Sequence, residues 1–92
     1  MIVGFRHKAL RRFYDTGTAR GLPTEMIGRI ATVLAALDQA QQIEDLNRPS
    51  FRLHALKGDL AGYWAVSVSG NWRIVFRFVG TDVEDVDLMD YH

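Results

Sequence analysis

Near Phe51 the hydrophobic period of the chain changes from that of a helix to that of a strand. A chain whose period changes once is largely restricted to folds that segregate helices from sheet. Upstream, Met26, Ile27, Ile30, Val33, Leu34 and Leu37 recur at intervals of three and four. This spacing predicts a helix with Pro23 in its first turn and Glu25 against the positive end of its dipole. Ala9, Leu10, Phe13 and Tyr14 predict a shorter helix before it, ended by Gly17. Ile2-Val3-Gly4-Phe5 reads as an opening strand, Ile43–Leu46 as one helical turn and Asn47-Arg48-Pro49-Ser50 as a loop. Downstream, Phe51, Leu53 and Ala55 alternate against Arg52, His54 and Leu56. Trp64, Val66 and Val68 share one face of a strand over 63–68, and Trp72, Ile74, Phe76 and Phe78 share one face of a strand over Trp72–Val79. Ser69-Gly70-Asn71 makes a hairpin connection, and a turn at Gly80-Thr81-Asp82 leads to a last strand over 83–88. The expected order is β-α-α-β-β-β-β, a single α+β domain over residues 1–92 with two N-terminal helices packed on a small, mainly antiparallel sheet.

Ninety-two residues suffice for one modest core. An apolar fraction of 48% with ten aromatics excludes a disordered chain. Cysteine is absent, which rules out disulfides and thiolate zinc sites within the chain and suits a reducing compartment. Neither a secretory h-region nor an apolar run near the roughly 18 residues of a membrane span is present. A soluble, cytoplasmic protein with no membrane association is therefore expected. Net charge is formally zero, so the whole domain is not basic. Its halves differ, however: residues 1–57 hold nine Lys/Arg against five Asp/Glu, and residues 58–92 hold two against six. The acids Asp82, Glu84, Asp85 and Asp87 read as a solvated turn and edge strand.

Phosphate-binding glycine loops, dinucleotide fingerprints and the H-E-x-x-H pair are all missing. What remains around the predicted sheet is His54, Lys57, Arg73, Asp90, Tyr91 and His92. Metal-free cleavage of RNA requires a base for a 2′-hydroxyl, cations for charge on the phosphorane and an acid for the leaving 5′-oxygen. These residue types can fill all three roles. On an extended tail Asp90 and His92 would stand about 7 Å apart on one face. Taken singly, each has a plainer explanation: His54 as a strand-end histidine, Lys57 as a turn lysine, Arg73 and Arg77 as a solvated strand face, and the last three residues as a frayed terminus. His7 reads as a surface residue.

The segments His54-Ala55-Leu56-Lys57-Gly58, Gly62-Tyr63-Trp64 and Asn71-Trp72-Arg73-Ile74-Val75-Phe76, followed by Asp90-Tyr91-His92 at the end, resemble the HigB-type toxins of the RelE superfamily. The likeness extends over nearly the whole chain, including the Ile-x-x-Phe opening, the two helices and Leu46-Asn47-Arg48.

The resemblance implies a RelE-like fold and a bacterial type II toxin that binds in the 30S A site of the ribosome, against rRNA, and cuts translated mRNA to leave a 2′,3′-cyclic phosphate. It implies no metal and no cofactor, and neutralisation by a HigA-like antitoxin with a helix-turn-helix domain. Carried over by position, His54, Asp90, Tyr91 and His92 match the family's catalytic residues, with Lys57 and Arg73 as phosphate ligands. With a sequence pI near 6.8, ribosome binding would rely on a local face built by Arg6, Lys8, Arg11, Arg12, Arg48 and Arg52. The competing expectations are a ParE-like toxin that inhibits gyrase by protein contact, and a catalytically silent RNA-binding module. The titratable Asp-Tyr-His tail and His54 favour the nuclease, because a gyrase binder needs no such groups around a phosphate.

Overall fold

The structure is a computed structural model that describes residues 1–90. Helix α1 spans Lys8–Thr16 and helix α2 spans Ile27–Gln39. His7 is half-buried and caps α1, its Nδ1 accepting the Leu10 N–H at 3.2 Å. The sequence reading of His7 as a simple surface residue missed this contact. Gly17 closes α1 at φ 79°, a left-handed conformation that a side chain disfavours, and returns its N–H to the Phe13 carbonyl. Pro23 immediately precedes a 3-10 turn, Thr24–Met26, which runs into α2. Ile30, Val33, Leu34, Ala36 and Leu37 form the buried stripe of α2. The turn expected at Ile43–Leu46 is present as a 3-10 turn, with Gln42 and Asp45 capping its start reciprocally.

Four strands follow, β1 (His54–Ala55), β2 (Trp64–Ser69), β3 (Trp72–Val79) and β4 (Asp82–Asp90), paired antiparallel in the order β1-β2-β3-β4. The strand expected from Phe51 onward is reduced to two residues. Pro49 opens a further 3-10 turn that runs through Phe51, and Arg52 then adopts φ 49°, so the alternation breaks before pairing begins. The expected opening strand is likewise shortened to two isolated parallel bridges, Ile2 to Val83 and Phe5 to Val86. Hydrogen bonds from Val3 N–H to the Val83 carbonyl (2.8 Å) and from Arg6 N–H to the Val86 carbonyl (2.9 Å) lay this segment along the outer edge of β4.

The helices cover one side of the sheet, α2 against β2 and β4 and α1 against β4. Between the layers lie Leu10, Ile30, Leu37, Phe51, Val66, Ile74, Phe76, Val83 and Val86, with Trp64, Trp72 and Phe78 packed at the margin, as the alternation of β2 and β3 required. The other side carries a smaller apolar cluster of Leu56, Ala65 and Val75, flanked by Leu60, Tyr63 and Met89. This open face is crossed by two register rows: His54, Ala65, Val75 and Asp87, then Ser67, Arg73 and Met89. Strand β4 carries a bulge. Val75 pairs with Asp87 but Arg77 pairs with Glu84, so Asp85 and Val86 together oppose Phe76, and Asp85 adopts φ 56°. Among the described residues no helix is long and apolar enough to cross a membrane.

Candidate active site

His54 lies at the start of β1 with its side chain exposed. Its Nδ1 stands 3.0 Å from the Arg52 carbonyl. A carbonyl oxygen only accepts, so Nδ1 is the donor in this contact and Nε2 is the ring nitrogen that it leaves unengaged. The left-handed Arg52 is what turns that carbonyl back toward the ring. His54 is therefore an oriented imidazole.

Arg73 stands on the neighbouring row of the same face and is half-buried. Its Nη1 donates to the carbonyls of Gly70 (2.7 Å) and Trp72 (3.1 Å) and reaches Ser67 Oγ at 3.5 Å. Carbonyl partners hold the guanidinium in place without cancelling its charge. Among the described residues Nε and Nη2 make no hydrogen bond, leaving that edge of the fork for an anion. Lys57 follows the buried Leu56, whose N–H bonds the Tyr63 carbonyl at 2.9 Å, and precedes Gly58 at φ 67°. Along the strand direction His54 thus lies between Arg73 and Lys57.

Asp90 ends β4 opposite Trp72, on the parity of the helix side rather than that of Arg73 and His54. It is exposed at the strand end. The other two candidates, Tyr91 and His92, lie outside the described residues. The structure therefore brings His54 and Arg73 onto one face, sets Lys57 beyond His54, and places Asp90 at the end of the adjoining strand.

Positive charge near this face is distributed differently from the sequence expectation. Arg11 lies 3.8 Å from Asp15, which offsets its charge, while Arg6 and Arg77 lie 3.8 and 3.7 Å from Asp85 and share its one carboxylate. Arg29, Arg48, Arg52, Lys57 and Arg73 have no carboxylate within 4.0 Å among the described residues. Arg29 and Arg48 stand over the Phe51 ring at 5.1 and 5.0 Å, and Arg29 donates to the carbonyls of Ser50 and Ser67. Through the Ser67 carbonyl Arg29 reaches the backbone of the strand residue that pairs with Arg73. Arg29 was not singled out from the sequence, where one arginine on a helix gives no sign of reaching a sheet carbonyl.

The sequence reading also missed a polar cluster on the open face formed by Arg6, Tyr63, Arg77 and Asp85. Its one sequence signal is the spacing of Val83, Val86 and Leu88, three and then two, which breaks strict alternation and marks a bulge. Two surface grooves lie elsewhere. One, of about 260 Å³, runs between the helices past Phe13, Tyr14, Ala31, Leu34, Ala35 and Asp38. The other, of about 280 Å³, is lined by Ile43, Glu44, Asn47, Leu53 and Trp64. Neither includes a candidate catalytic residue, and the exposed open face suits an extended polymer better than a small enclosed substrate. Among the described residues no group of three or more His, Asp or Glu side chains is placed to hold a metal ion.

A family model for the RelE-like toxin of the type II toxin-antitoxin system HigB matches residues 3–92. Endoribonuclease HigB of Proteus vulgaris is 42% identical over 92 residues, all of both chains. Toxin HigB-1 of Vibrio cholerae serotype O1 is 32% identical over 81 residues, covering 86% of this chain and 85% of that one. Among solved structures, the YoeB-YefM complex from Staphylococcus aureus aligns with a TM-score of 0.64 at 18% identity, covering 100% of this chain and 95% of that one. The YoeB/ParE toxin from Agrobacterium tumefaciens aligns with a TM-score of 0.58 at 18% identity, covering 99% and 96%. At such identities these structures speak to the fold alone.

Proposed function

The chain belongs to the HigB-like family of RelE-like toxins of type II toxin-antitoxin systems, and on that premise we propose that it stops translation by cutting mRNA in the ribosomal A site. It is an endoribonuclease; the observation that carries this is the 42% identity, along the full length of both chains, with Endoribonuclease HigB. The ribosomal setting is supported by uncompensated cations beside an open sheet face on a protein of zero net charge.

In the reaction we propose, a 2′-oxygen attacks the adjacent phosphorus while the bond from phosphorus to the 5′-oxygen breaks. A base removes the 2′-hydroxyl proton and an acid protonates the departing oxygen, leaving a 2′,3′-cyclic phosphate and a 5′-hydroxyl. His92 and Asp90 form the proton-transfer pair. Lys57 and Arg73 stabilise charge on the phosphorane, Arg73 through the edge of its fork that binds no carbonyl among the described residues. His54 exchanges protons through Nε2, and Tyr91 stacks on or hydrogen-bonds the nucleotide. The chemistry requires neither metal nor cofactor.

A cognate antitoxin is the expected partner of a toxin of this family, and structural neighbours include YoeB bound to YefM. We assign that partner as a HigA-like helix-turn-helix protein, and the place of action as the cytoplasm, where translating ribosomes are.

Induced expression of the intact chain and of His92→Ala in bacteria, with 5′ ends mapped on a translated reporter mRNA, tests the reading. Growth arrest with translation-dependent cuts, lost in the variant, is expected. Arrest without cuts would refute it in favour of a gyrase-directed toxin, and no arrest would indicate a silent binding module.

A further inference from the structure

Four side chains that the proposed chemistry does not use converge at the bulge of β4. The Tyr63 hydroxyl donates to Asp85 Oδ2 at 3.0 Å and accepts from Arg6 Nη2 at 2.6 Å. The guanidinium nitrogens of Arg6 and Arg77 lie 3.8 and 3.7 Å from the same Asp85 oxygen. Both guanidinia also stand over the Tyr63 ring, at 5.2 and 5.9 Å. All of this meets at a residue held at φ 56°, a conformation that few residues with a side chain adopt and that aspartate tolerates better than most.

The bulge has a geometric consequence for the end of the chain. Glu84 pairs with Arg77, so uninterrupted alternation would bring residues 86, 88 and 90 onto the same face as Glu84. The extra residue at Asp85 reverses this. Val86 and Leu88 turn into the main core, Met89 takes the open face, and Asp90 arrives opposite Trp72. One inserted residue thus sets the phase in which β4 delivers Asp90.

We infer that Tyr63 is a positioning residue for the ribonuclease reaction: with Arg6 and Arg77 it anchors Asp85, and so steadies the β4 bulge from which the strand runs on to Asp90, the described member of the proposed proton-transfer pair. This rests on the assignment of that pair to the active site. Burial of Val86 and Leu88 already decides which residues face the core, so losing the anchor loosens the strand end without unfolding the domain. Small misplacements of reacting groups are costly to rate even when their cause is remote.

Tyr63→Phe removes the hydroxyl and keeps the ring beneath the guanidinia, while Asp85→Gly removes the carboxylate and keeps a backbone suited to positive φ. Each would be compared with the intact chain, with His92→Ala and with the Tyr63→Phe, His92→Ala double variant. The readouts are single-turnover cleavage of mRNA on programmed ribosomes, ribosome affinity and thermal unfolding. Expected is a fall of roughly tenfold or more in cleavage rate for either single variant, with ribosome affinity within about twofold and a cooperative unfolding transition retained. Adding Tyr63→Phe to His92→Ala should cause little further loss, because groups that act as a unit are not additive. Full activity in Tyr63→Phe beside an inactive His92→Ala would overturn the positioning role alone. Weakened ribosome binding at unchanged cleavage rate, or a full multiplicative loss in the double variant, would also overturn it, by making Tyr63 an RNA contact. Full activity in His92→Ala would instead remove the tail assignment on which the inference stands.

Discussion

The hydroxyl of Tyr14 donates to Asp38 Oδ1 at 2.7 Å, joining α1 to α2, and the same oxygen accepts the Ile2 N–H at 3.0 Å. One carboxylate therefore ties both helices and the N-terminal segment together. The Ile2 N–H, followed by the Tyr14 hydroxyl, holds Asp38 below its ordinary value of 3.8, and the hydrogen bond to Asp38 raises Tyr14 to about 12.

These opposite shifts define two pH windows. Asp38 is depressed by folding, so its contribution is present above its ordinary carboxylate range and is lost as pH falls through the folded value. Tyr14 is raised by folding, so its contribution is complete below about 10 and disappears as pH rises through about 12. Urea midpoints should fall at both extremes, and Tyr14→Phe should flatten the alkaline limb. An alkaline limb of unchanged slope in that variant would show that the link contributes nothing.

His54→Ala and His92→Ala should each lower cleavage on programmed ribosomes by about 10²- to 10⁴-fold, the usual contribution of a proton-transfer group. Arg73→Ala should cost about 10²- to 10³-fold as a lost charge stabiliser. Because Arg73 also bonds the Gly70 and Trp72 carbonyls at the β2–β3 hairpin, its circular dichroism should be recorded alongside. Rates within twofold of the intact chain would remove the residue concerned from the site.

Phe51 is 1% exposed and lies beneath the guanidinia of Arg29 and Arg48. Phe51→Ala should cost about 3–5 kcal/mol by chemical denaturation, combining lost transfer energy with a cavity. Val79→Ala, at a side chain 43% exposed, should change stability by less than about 0.5 kcal/mol. Equal effects at the two positions would contradict the packing described.

Ribosome association should weaken steeply with salt despite zero net charge, because local cations rather than the total release counterions. Arg48→Ala should reduce the slope of log K against log salt by about 0.7–0.9. Arg11→Ala, already paired with Asp15, should change it less. Titrations at several salt concentrations read this directly, and a flat dependence would exclude the basic surface as the docking determinant.

Elements whose signal is local were legible in the sequence. The period of α2, the Gly17 terminus, the faces of β2 and β3 and the Ser69-Gly70-Asn71 connection all follow from side-chain periodicity and turn chemistry. The alternation Phe51, Leu53, Ala55 misled because it persists through a proline-initiated turn and a left-handed Arg52, neither of which alters the hydrophobic pattern. The candidate site was legible as residue types, and His54 and Arg73 do share a face. What was hidden depends on pairing between distant segments. Arg6 meets Asp85 only because residues 1–6 run beside β4, and Arg29 reaches Ser67 only because α2 crosses β2.

That N-terminal segment also bears on how the sheet meets identical chains. A long open strand edge is a template on which identical chains polymerise. Here the outer side of β4 is engaged at Val83 and Val86 by Met1, Val3, Gly4 and Arg6, and at the opposite edge Trp64 and Ala65 of β2 are paired with β1. Among the described residues neither margin leaves the five or six residues of a typical strand uncovered. Each margin is thus shortened as a template for self-recruitment by the segments laid along it.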